Sequence, residues 1–240
     1  MDMTQVYISE FVGTAVLIAF GSGTNASILL KKTIVGAFST NWLNIIFGWA
    51  FAVAFGVYIG WQLGGPGHLN PAVTFAVAVL GTFPWEQVIP VSIAQIAGAF
   101  VGTAITVVLY YPHFKETKAD EGNCVGIFAT GPAIDNKPFN LISEIIATFM
   151  FMLAILCLGK MVDGVGPMVI GLLVASIGMS FGSTTGYALN PARDFGPRLA
   201  YTVLPIPNKG NPNWQYAWVP IVGPLIGAGL AVLFFKLVAP

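Results

Sequence analysis

Charged residues are scarce in this chain, and their scarcity argues against most soluble folds. Asp, Glu, Lys and Arg make up only 8% of the 240 residues, against roughly 25% in a soluble domain. Positive and negative residues balance to a formal net charge of zero, which argues against partners such as nucleic acid. Hydrophobic residues reach 56%. The composition therefore predicts a protein that lies mainly in a lipid bilayer.

Cysteine and histidine are also rare, with two of each. Cys124 falls in a predicted loop and Cys157 in an apolar segment, so they form no disulfide framework and we expect two free thiols. Neither histidine has a partner at metal-ligand spacing, and the sequence has no phosphate-binding loop or nucleophile–base pair. We expect no metal, no cofactor and no enzymatic activity.

Six apolar segments approach the length needed to cross a bilayer, which is about 20 residues for a helix. The segments are Ile8–Leu30, Leu43–Trp61, Val88–Tyr110, Leu141–Leu158, Val165–Gly182 and Ala217–Phe235. The polar stretches between them are short. The sequence therefore predicts an all-α membrane protein with one transmembrane domain over residues 1–240 and no soluble appendage.

Three short motifs occur twice, in the same order. Ile8-Ser9-Glu10 returns as Ile142-Ser143-Glu144, Leu69-Asn70-Pro71-Ala72 as Leu189-Asn190-Pro191-Ala192, and Gln95-Ile96-Ala97-Gly98-Ala99 resembles Pro224-Leu225-Ile226-Gly227-Ala228. The offsets of 134, 120 and 129 residues indicate a duplicated unit. Each unit holds three spans, so the second begins on the opposite face of the membrane. This predicts inverted repeats over approximately residues 1–112 and 138–240.

Each unit also contains one segment that cannot cross a membrane alone. His68–Leu80 has only about 13 residues, and Leu189–Leu199 carries three charged side chains. Irregular backbone at membrane depth is tolerated only where it is buried in protein or lines a wet cavity. We therefore predict two half-helices that enter the bilayer from opposite sides and meet near its middle.

The Asn-Pro-Ala motifs, Asn70-Pro71-Ala72 and Asn190-Pro191-Ala192, mark the starts of these half-helices. Asn is a favoured N-cap and Pro a favoured first helical residue. Two such starts facing each other would put two positive helix ends and two donor amides at mid-membrane. A water molecule there would point its oxygen at both amides, which would interrupt a proton wire, and the helix ends would repel cations.

Three further polar residues occupy apolar or loop surroundings. Glu10 and Glu144 open corresponding spans, where a carboxylate is costly and normally faces the bundle interior. We expect both to accept backbone N–H groups from the half-helix loops; the alternative, a proton relay, lacks further titratable residues in the other spans. His68 is predicted to be a structural donor of the loop before the first half-helix.

The residues Gly67-His68-Leu69-Asn70-Pro71-Ala72-Val73-Thr74 and Ala188-Leu189-Asn190-Pro191-Ala192-Arg193-Asp194-Phe195-Gly196-Pro197 resemble the aquaporin, or major intrinsic protein, family over essentially the whole chain. The resemblance implies an aquaporin-like fold of six transmembrane helices plus two half-helices. It also implies a multi-pass protein of the plasma membrane and a homotetramer with one pore per subunit.

The same resemblance implies a selectivity filter at Trp49, Gly178, Tyr187 and Arg193, and it points to the glycerol-permeable branch. Water-only channels of the family usually have His at the position of Gly178. A glycine there makes room for an aromatic ring at Tyr187, and two aromatic rings opposite Arg193 suit the carbon backbone and hydroxyls of a polyol. Tyr187 departs from the Phe that glycerol facilitators often have.

Overall, the chain most resembles the glycerol facilitators of lactic acid bacteria that also pass lactic acid. We expect a passive channel for water and small uncharged solutes: glycerol, undissociated lactic acid, dihydroxyacetone and urea. The alternatives are a coupled secondary transporter of a small organic solute, an ion channel, and a junctional protein of the same family.

Overall fold

Helices make up nearly all regular structure in the computed structural model, which describes residues 2–159 and 161–239. The α-helices are α1 (Met3–Leu29), α2 (Trp42–Gln62), α3 (Pro71–Leu80), α4 (Val88–Leu109), α5 (Tyr111–Glu116), α6 (Lys137–Cys157), α7 (Gly166–Ser180), α8 (Gly182–Thr185), α9 (Pro191–Val203) and α10 (Val219–Val238). Short 3-10 turns lie at Val35–Ala37, Trp85–Gln87, Ala119–Glu121, Val125–Ile127 and Trp214–Tyr216. Residues 2–159 and 161–239 contain no β-strand, which confirms the all-α prediction.

Five of the helices are long and apolar enough to span a membrane: α1, α2, α4 with its preceding turn, α6, and α10 with its preceding turn. The predicted fifth span, Val165–Gly182, is instead the 15-residue α7, which ends at Ser180. Phe181 separates it from the single turn α8. Large apolar side chains such as Phe47, Phe51 and Phe55 are 39–48% exposed on the outer face of α2, where lipid would cover them.

The half-helices begin where their sequence predicts. Asn70 and Asn190 are the N-caps of α3 and α9, and a proline occupies the first turn of each. Gly81 ends α3 with a left-handed backbone (φ 93°), the conformation that glycine adopts at least cost. α9 extends to Val203, four residues beyond its predicted end at Leu199.

Packing is similar in the two halves of the chain. α1 packs along α4 and α6 packs along α10, while each half-helix docks on the last long helix of the other half: α3 on α10 and α9 on α4. A methyl group at Gly98 would collide with the carbonyl oxygen of Phe11, and one at Gly227 with that of Ile145. These two glycines, which correspond in the repeated motifs, therefore allow the same close approach of helices.

Candidate functional site

The two Asn-Pro-Ala motifs lie against each other and exchange hydrogen bonds. Asn70 Nδ2 donates to the carbonyl oxygen of Leu189 at 2.9 Å, and Asn190 Nδ2 donates to that of Leu69 at 2.7 Å. Each motif therefore binds the loop that precedes the other. The starts of α3 and α9 are joined at one place inside the molecule.

The amide oxygens of the same two asparagines are also occupied. Asn70 Oδ1 accepts from Ala72 N at 2.8 Å, while Asn190 Oδ1 accepts from Ala192 N at 3.0 Å and from Arg193 N at 3.2 Å. An amide NH₂ has two N–H groups, so each asparagine keeps one for the cavity that both line. The sequence predicted that both asparagine amides would be donors. It did not predict that each would use one N–H group in a hydrogen bond to the opposite loop.

The other motif residues have different surroundings. Ala72 and Ala192 are fully buried. Pro71 and Pro191 line a separate apolar groove between α3, α4, α9 and α10. The two half-helix starts therefore lie between the cavity on one side and this groove on the other.

Two buried glutamates hold the loops that precede the half-helices. Glu10 accepts from His68 N at 2.7 Å, Leu69 N at 2.6 Å and Gln95 Nε2 at 2.7 Å. Both carboxylates, Glu10 and Glu144, have no exposed surface. Glu10 is therefore bound by two backbone donors and one side-chain donor.

Glu144 makes the corresponding contacts in the second half. It accepts from Ala188 N at 2.9 Å, Leu189 N at 3.2 Å and Thr185 Oγ1 at 2.7 Å. Three donors surround each carboxylate, which is how a buried charge is tolerated.

These loops have backbone conformations that side chains disfavour. Leu69, Tyr187 and Leu189 have φ values of 50°, 40° and 55°. Such left-handed conformations cost on the order of 1–3 kcal/mol each outside glycine. The carboxylates of Glu10 and Glu144 oppose this cost, and the conformation leaves the Leu69 and Leu189 carbonyls available to the opposite asparagines.

His68 lines the cavity next to the first motif. Its Nδ1 lies 3.2 Å from Thr74 Oγ1, and its ring meets Phe83 edge-on at 5.1 Å between centroids. Across residues 2–159 and 161–239, no group of three or more His, Cys, Asp and Glu side chains could hold a metal ion. His68 is therefore held by a hydroxyl and an aromatic ring.

Two cavities meet at a constriction. The first, about 240 Å³, extends past His68, Asn70 and Asn190, and the second, about 440 Å³, opens near the end of α1. Three residues line both cavities: Trp49, Tyr187 and Arg193. These are three of the four residues predicted for the filter.

The first cavity has one predominantly apolar wall. This wall includes the aliphatic and aromatic residues Leu17, Val53, Val57, Val73, Val77, Phe151, Ile155, Ile170 and Val174. The other side carries the loops at 66–70 and 187–190, where the motif asparagines and backbone groups lie. A permeant with a carbon face and a hydroxyl face matches this division.

Arg193 is fixed at the constriction by an aromatic ring and a carbonyl. Its Cζ lies 3.5 Å from the centroid of the Trp49 ring, within the range of a cation–π contact. Its Nη1 donates to the carbonyl oxygen of Phe128 at 2.6 Å. Within residues 2–159 and 161–239, the other guanidinium donors of Arg193 make no hydrogen bond, and the side chain borders both cavities.

Gly178 lies behind the Tyr187 ring and does not itself line either cavity. A methyl group at Gly178 would be 2.9 Å from Tyr187 Cζ and 3.1 Å from its Oη. Gly182 provides similar room on another side of the ring, which also meets Trp42 edge-on. The absence of a side chain at Gly178 therefore leaves space for the Tyr187 ring at the constriction.

A buried ion pair lies close to Arg193 in the chain. Arg198 and Asp194 are both fully buried and form a salt bridge at 2.8 Å. Asp194 also accepts from the backbone N and the hydroxyl of Thr130, and Arg198 Nη2 donates to the Thr130 carbonyl. The contact between Thr130 and Asp194 spans 64 residues, so no local pattern in the sequence indicates it.

Comparison with known proteins agrees with this geometry. The family model described as "Major intrinsic protein" matches residues 1–235. The chain is 52% identical over 226 residues to "Glycerol uptake facilitator protein 2" of Lactiplantibacillus plantarum, covering 94% of this chain and 95% of the relative. It is 38% identical over 237 residues to the "D/L-lactic acid transporter" of the same species, covering 97% of each.

A solved structure is also similar over nearly the full length. The aquaglyceroporin from Plasmodium falciparum superimposes with a TM-score of 0.84 and 30% sequence identity, over 98% of this chain and 96% of that one. The aquaporin-like fold predicted from the sequence is thereby confirmed. With its membrane-spanning helices and its crossed Asn-Pro-Ala loops, this chain belongs to the major intrinsic protein family.

Proposed function

We propose that this chain is a passive, bidirectional channel of the plasma membrane for glycerol, other small uncharged solutes and water. The observation that carries the proposal is the constriction at Trp49, Tyr187 and Arg193, where the two cavities meet. A polyol can place its carbon atoms against the rings and its hydroxyls toward the guanidinium. This matters because stripping a hydroxyl of its hydrogen bonds costs roughly 2–7 kcal/mol.

Exclusion of ions and protons follows from the same region. Two helix N-termini and the Arg193 guanidinium present positive charge or partial charge to the lumen. The free N–H groups of Asn70 and Asn190 orient a passing water molecule by its oxygen. That molecule cannot then accept a proton from its neighbour, so the wire is interrupted.

Glycerol is the first solute we assign because two kinds of support agree. The 52%-identical relative is named a glycerol uptake facilitator. Gly178 leaves space for the Tyr187 ring, so the constriction has no side chain at the position where the family's water-only channels usually have His. Dihydroxyacetone and urea, which are also small and uncharged, belong to the same proposed class.

Undissociated lactic acid is a second permeant, favoured by the 38%-identical relative whose name assigns it D- and L-lactic acid. The neutral acid is a three-carbon molecule near glycerol in size. Its anion would lose its hydration at a constriction walled by Trp49 and Tyr187. We therefore assign the protonated form alone to the channel.

The remaining assignments follow the family, whose members are channels and facilitators. We propose a homotetramer with one pore per subunit, no cofactor and no catalytic activity. A coupled secondary transporter is the alternative, since inverted repeats and broken helices occur there too.

Stopped-flow light scattering of proteoliposomes tests the proposal directly. Purified protein should raise glycerol flux without saturation, with weak temperature dependence and without response to a protonophore. Saturating flux that a protonophore abolishes would support the transporter instead. Ionic current in a planar bilayer of the same preparation would contradict the proposed exclusion of ions.

A further inference from the structure

A buried amide outside the four predicted filter residues connects three parts of the constriction. Asn25 lies in α1 and is only 5% exposed. Its Oδ1 accepts from the indole Nε1 of Trp49 at 3.2 Å. Its Nδ2 donates to the carbonyl oxygens of Gly126 and Ile127 at 3.2 and 3.1 Å. One side chain thus joins α1, the Trp49 indole and the turn Val125–Ile127.

The segment that Asn25 binds is also the segment that holds Arg193. Phe128, directly after Ile127, offers its carbonyl oxygen to Arg193 Nη1 at 2.6 Å. The guanidinium in turn lies 3.5 Å from the centroid of the Trp49 ring. The contacts therefore form a closed circuit that runs from Asn25 to Trp49, to Arg193, to the backbone at 126–128, and back to Asn25.

Space for the Trp49 ring is provided by the same helix. A methyl group at Gly21, one turn before Asn25, would collide with the ring atoms of Trp49. The indole therefore lies flat against α1. Gly21 fixes the plane of the ring from one face, and the Asn25 amide fixes it at the ring's N–H edge. With Trp49 only 4% exposed, its N–H group has little access to other partners.

The repeat shows that this anchor is not a general requirement of the fold. Adding the offset of 134 residues between Glu10 and Glu144 to Asn25 gives Gly159. Gly159 has no side chain, and apart from its chain neighbours no atom of the described residues lies within 4 Å of the position where one would begin. The first repeat thus has this amide near the end of α1, beside the constriction, and the second repeat has no side chain at the corresponding position. This difference favours a role for Asn25 in the constriction.

We infer that Asn25 is a positioning residue, which fixes the plane of the Trp49 ring and the position of the Phe128 carbonyl that holds Arg193. Through these two groups it sets the preference of the constriction for a three-carbon polyol over water. The inference rests on the proposed function and deepens it. An amide supplies an acceptor and two donors in one side chain. Its loss leaves the buried indole N–H of Trp49 and the buried carbonyl of Ile127 without this partner, so the ring turns its N–H toward the second cavity.

The Asn25→Leu variant tests this role because leucine is similar in size and makes no hydrogen bonds. We expect the ratio of glycerol to water permeability in proteoliposomes to fall about fivefold, the factor that corresponds to one lost buried hydrogen bond. The ratio is the informative quantity, since a lower yield of folded channel reduces both fluxes equally.

Asn140→Leu is the matched control. Asn140 is also 5% exposed, and its Nδ2 donates to the Ile134 carbonyl at 3.1 Å, but it lines neither cavity. Its replacement should leave the permeability ratio at the wild-type value. An equal change of ratio in both variants, or a wild-type ratio in Asn25→Leu, overturns the assignment.

A structure of the Asn25→Ala variant supplies a readout that needs no permeant. A displaced Trp49 ring supports the positioning role, and a ring in its original plane refutes it. Absence of glycerol flux in the wild-type protein would instead refute the proposed function, while the ring position would still decide the role of Asn25.

Discussion

Replacing Gly178 should narrow the constriction by moving Tyr187. A methyl group at this position would lie 2.9 Å from Tyr187 Cζ, 3.1 Å from its Oη and 3.2 Å from Ile46 Cγ1. Contacts below 3.4 Å require the neighbour to move. Ile46 is fully buried in the core, whereas the Tyr187 ring borders two cavities. The added methyl group therefore moves the ring toward the lumen. Gly178→His introduces a larger side chain and should narrow the constriction further.

The size of the effect can be worked from the steric cost. Overpacking of a well-packed site typically costs about 1–3 kcal/mol. If that cost falls on the passage of the wider solute, glycerol flux drops about 5- to 150-fold. Water is narrower than the glycerol carbon chain and should lose much less. We expect Gly178→Ala near the lower end of this range and Gly178→His near the upper end.

Stopped-flow measurement of both permeants, at equal protein per vesicle, checks the prediction. Gly23→Ala is the control, because no described atom beyond its chain neighbours and the nearby backbone of its own helix lies within 4 Å of the position its side chain would take. It should leave both fluxes unchanged. Equal losses of glycerol and water in Gly178→His, or no loss of either, would refute the assignment of Gly178 to the constriction.

Three further outcomes are expected. Lactic acid flux per total acid should be higher at pH 4 than at pH 7 by a factor on the order of 500, because a carboxyl pKa near ~3.9 leaves about half of the acid neutral at pH 4; a flux independent of pH would contradict passage of the neutral form. Glu144→Gln should lower the thermal unfolding temperature in detergent, since a neutral acceptor weakens three buried hydrogen bonds by about 1 kcal/mol or more in total, whereas Glu86→Gln, on an exposed residue, should not. Arg193→Val should admit cations, measured as current across a planar bilayer, and an unchanged zero current would show that the half-helix ends suffice.

The fold could be predicted from the sequence because its signals are local. Asn-Pro dipeptides place the starts of α3 and α9 at Pro71 and Pro191, and hydropathy identifies the long helices. The ends were less accurate: α7 stops at Ser180 and α9 continues to Val203. Packing against neighbouring segments determines where these helices end. The apolar composition of a segment therefore does not predict its last residue.

The site, like the fold, was predictable where its signals are local and was missed where contacts join distant parts of the chain. Trp49, Tyr187 and Arg193, expected together by resemblance, line the same constriction, while their part in selectivity remains a prediction. Asn25 and Thr130 were missed because their contacts join a side chain to distant backbone carbonyls and amides. Such contacts leave no periodicity and no motif. Only the folded chain brings those backbone groups within reach.

The crossed bonds of Asn70 and Asn190 impose an order on biogenesis. The amide of Asn70 finds its acceptor at Leu189, which a ribosome adds 119 residues later. Until then, the first loop sits in the translocon or bilayer with this donor unmet, although Glu10 can already bind the loop backbone. The amino-terminal half therefore cannot complete its hydrogen bonds by itself, and the pore can form only after both halves have been inserted.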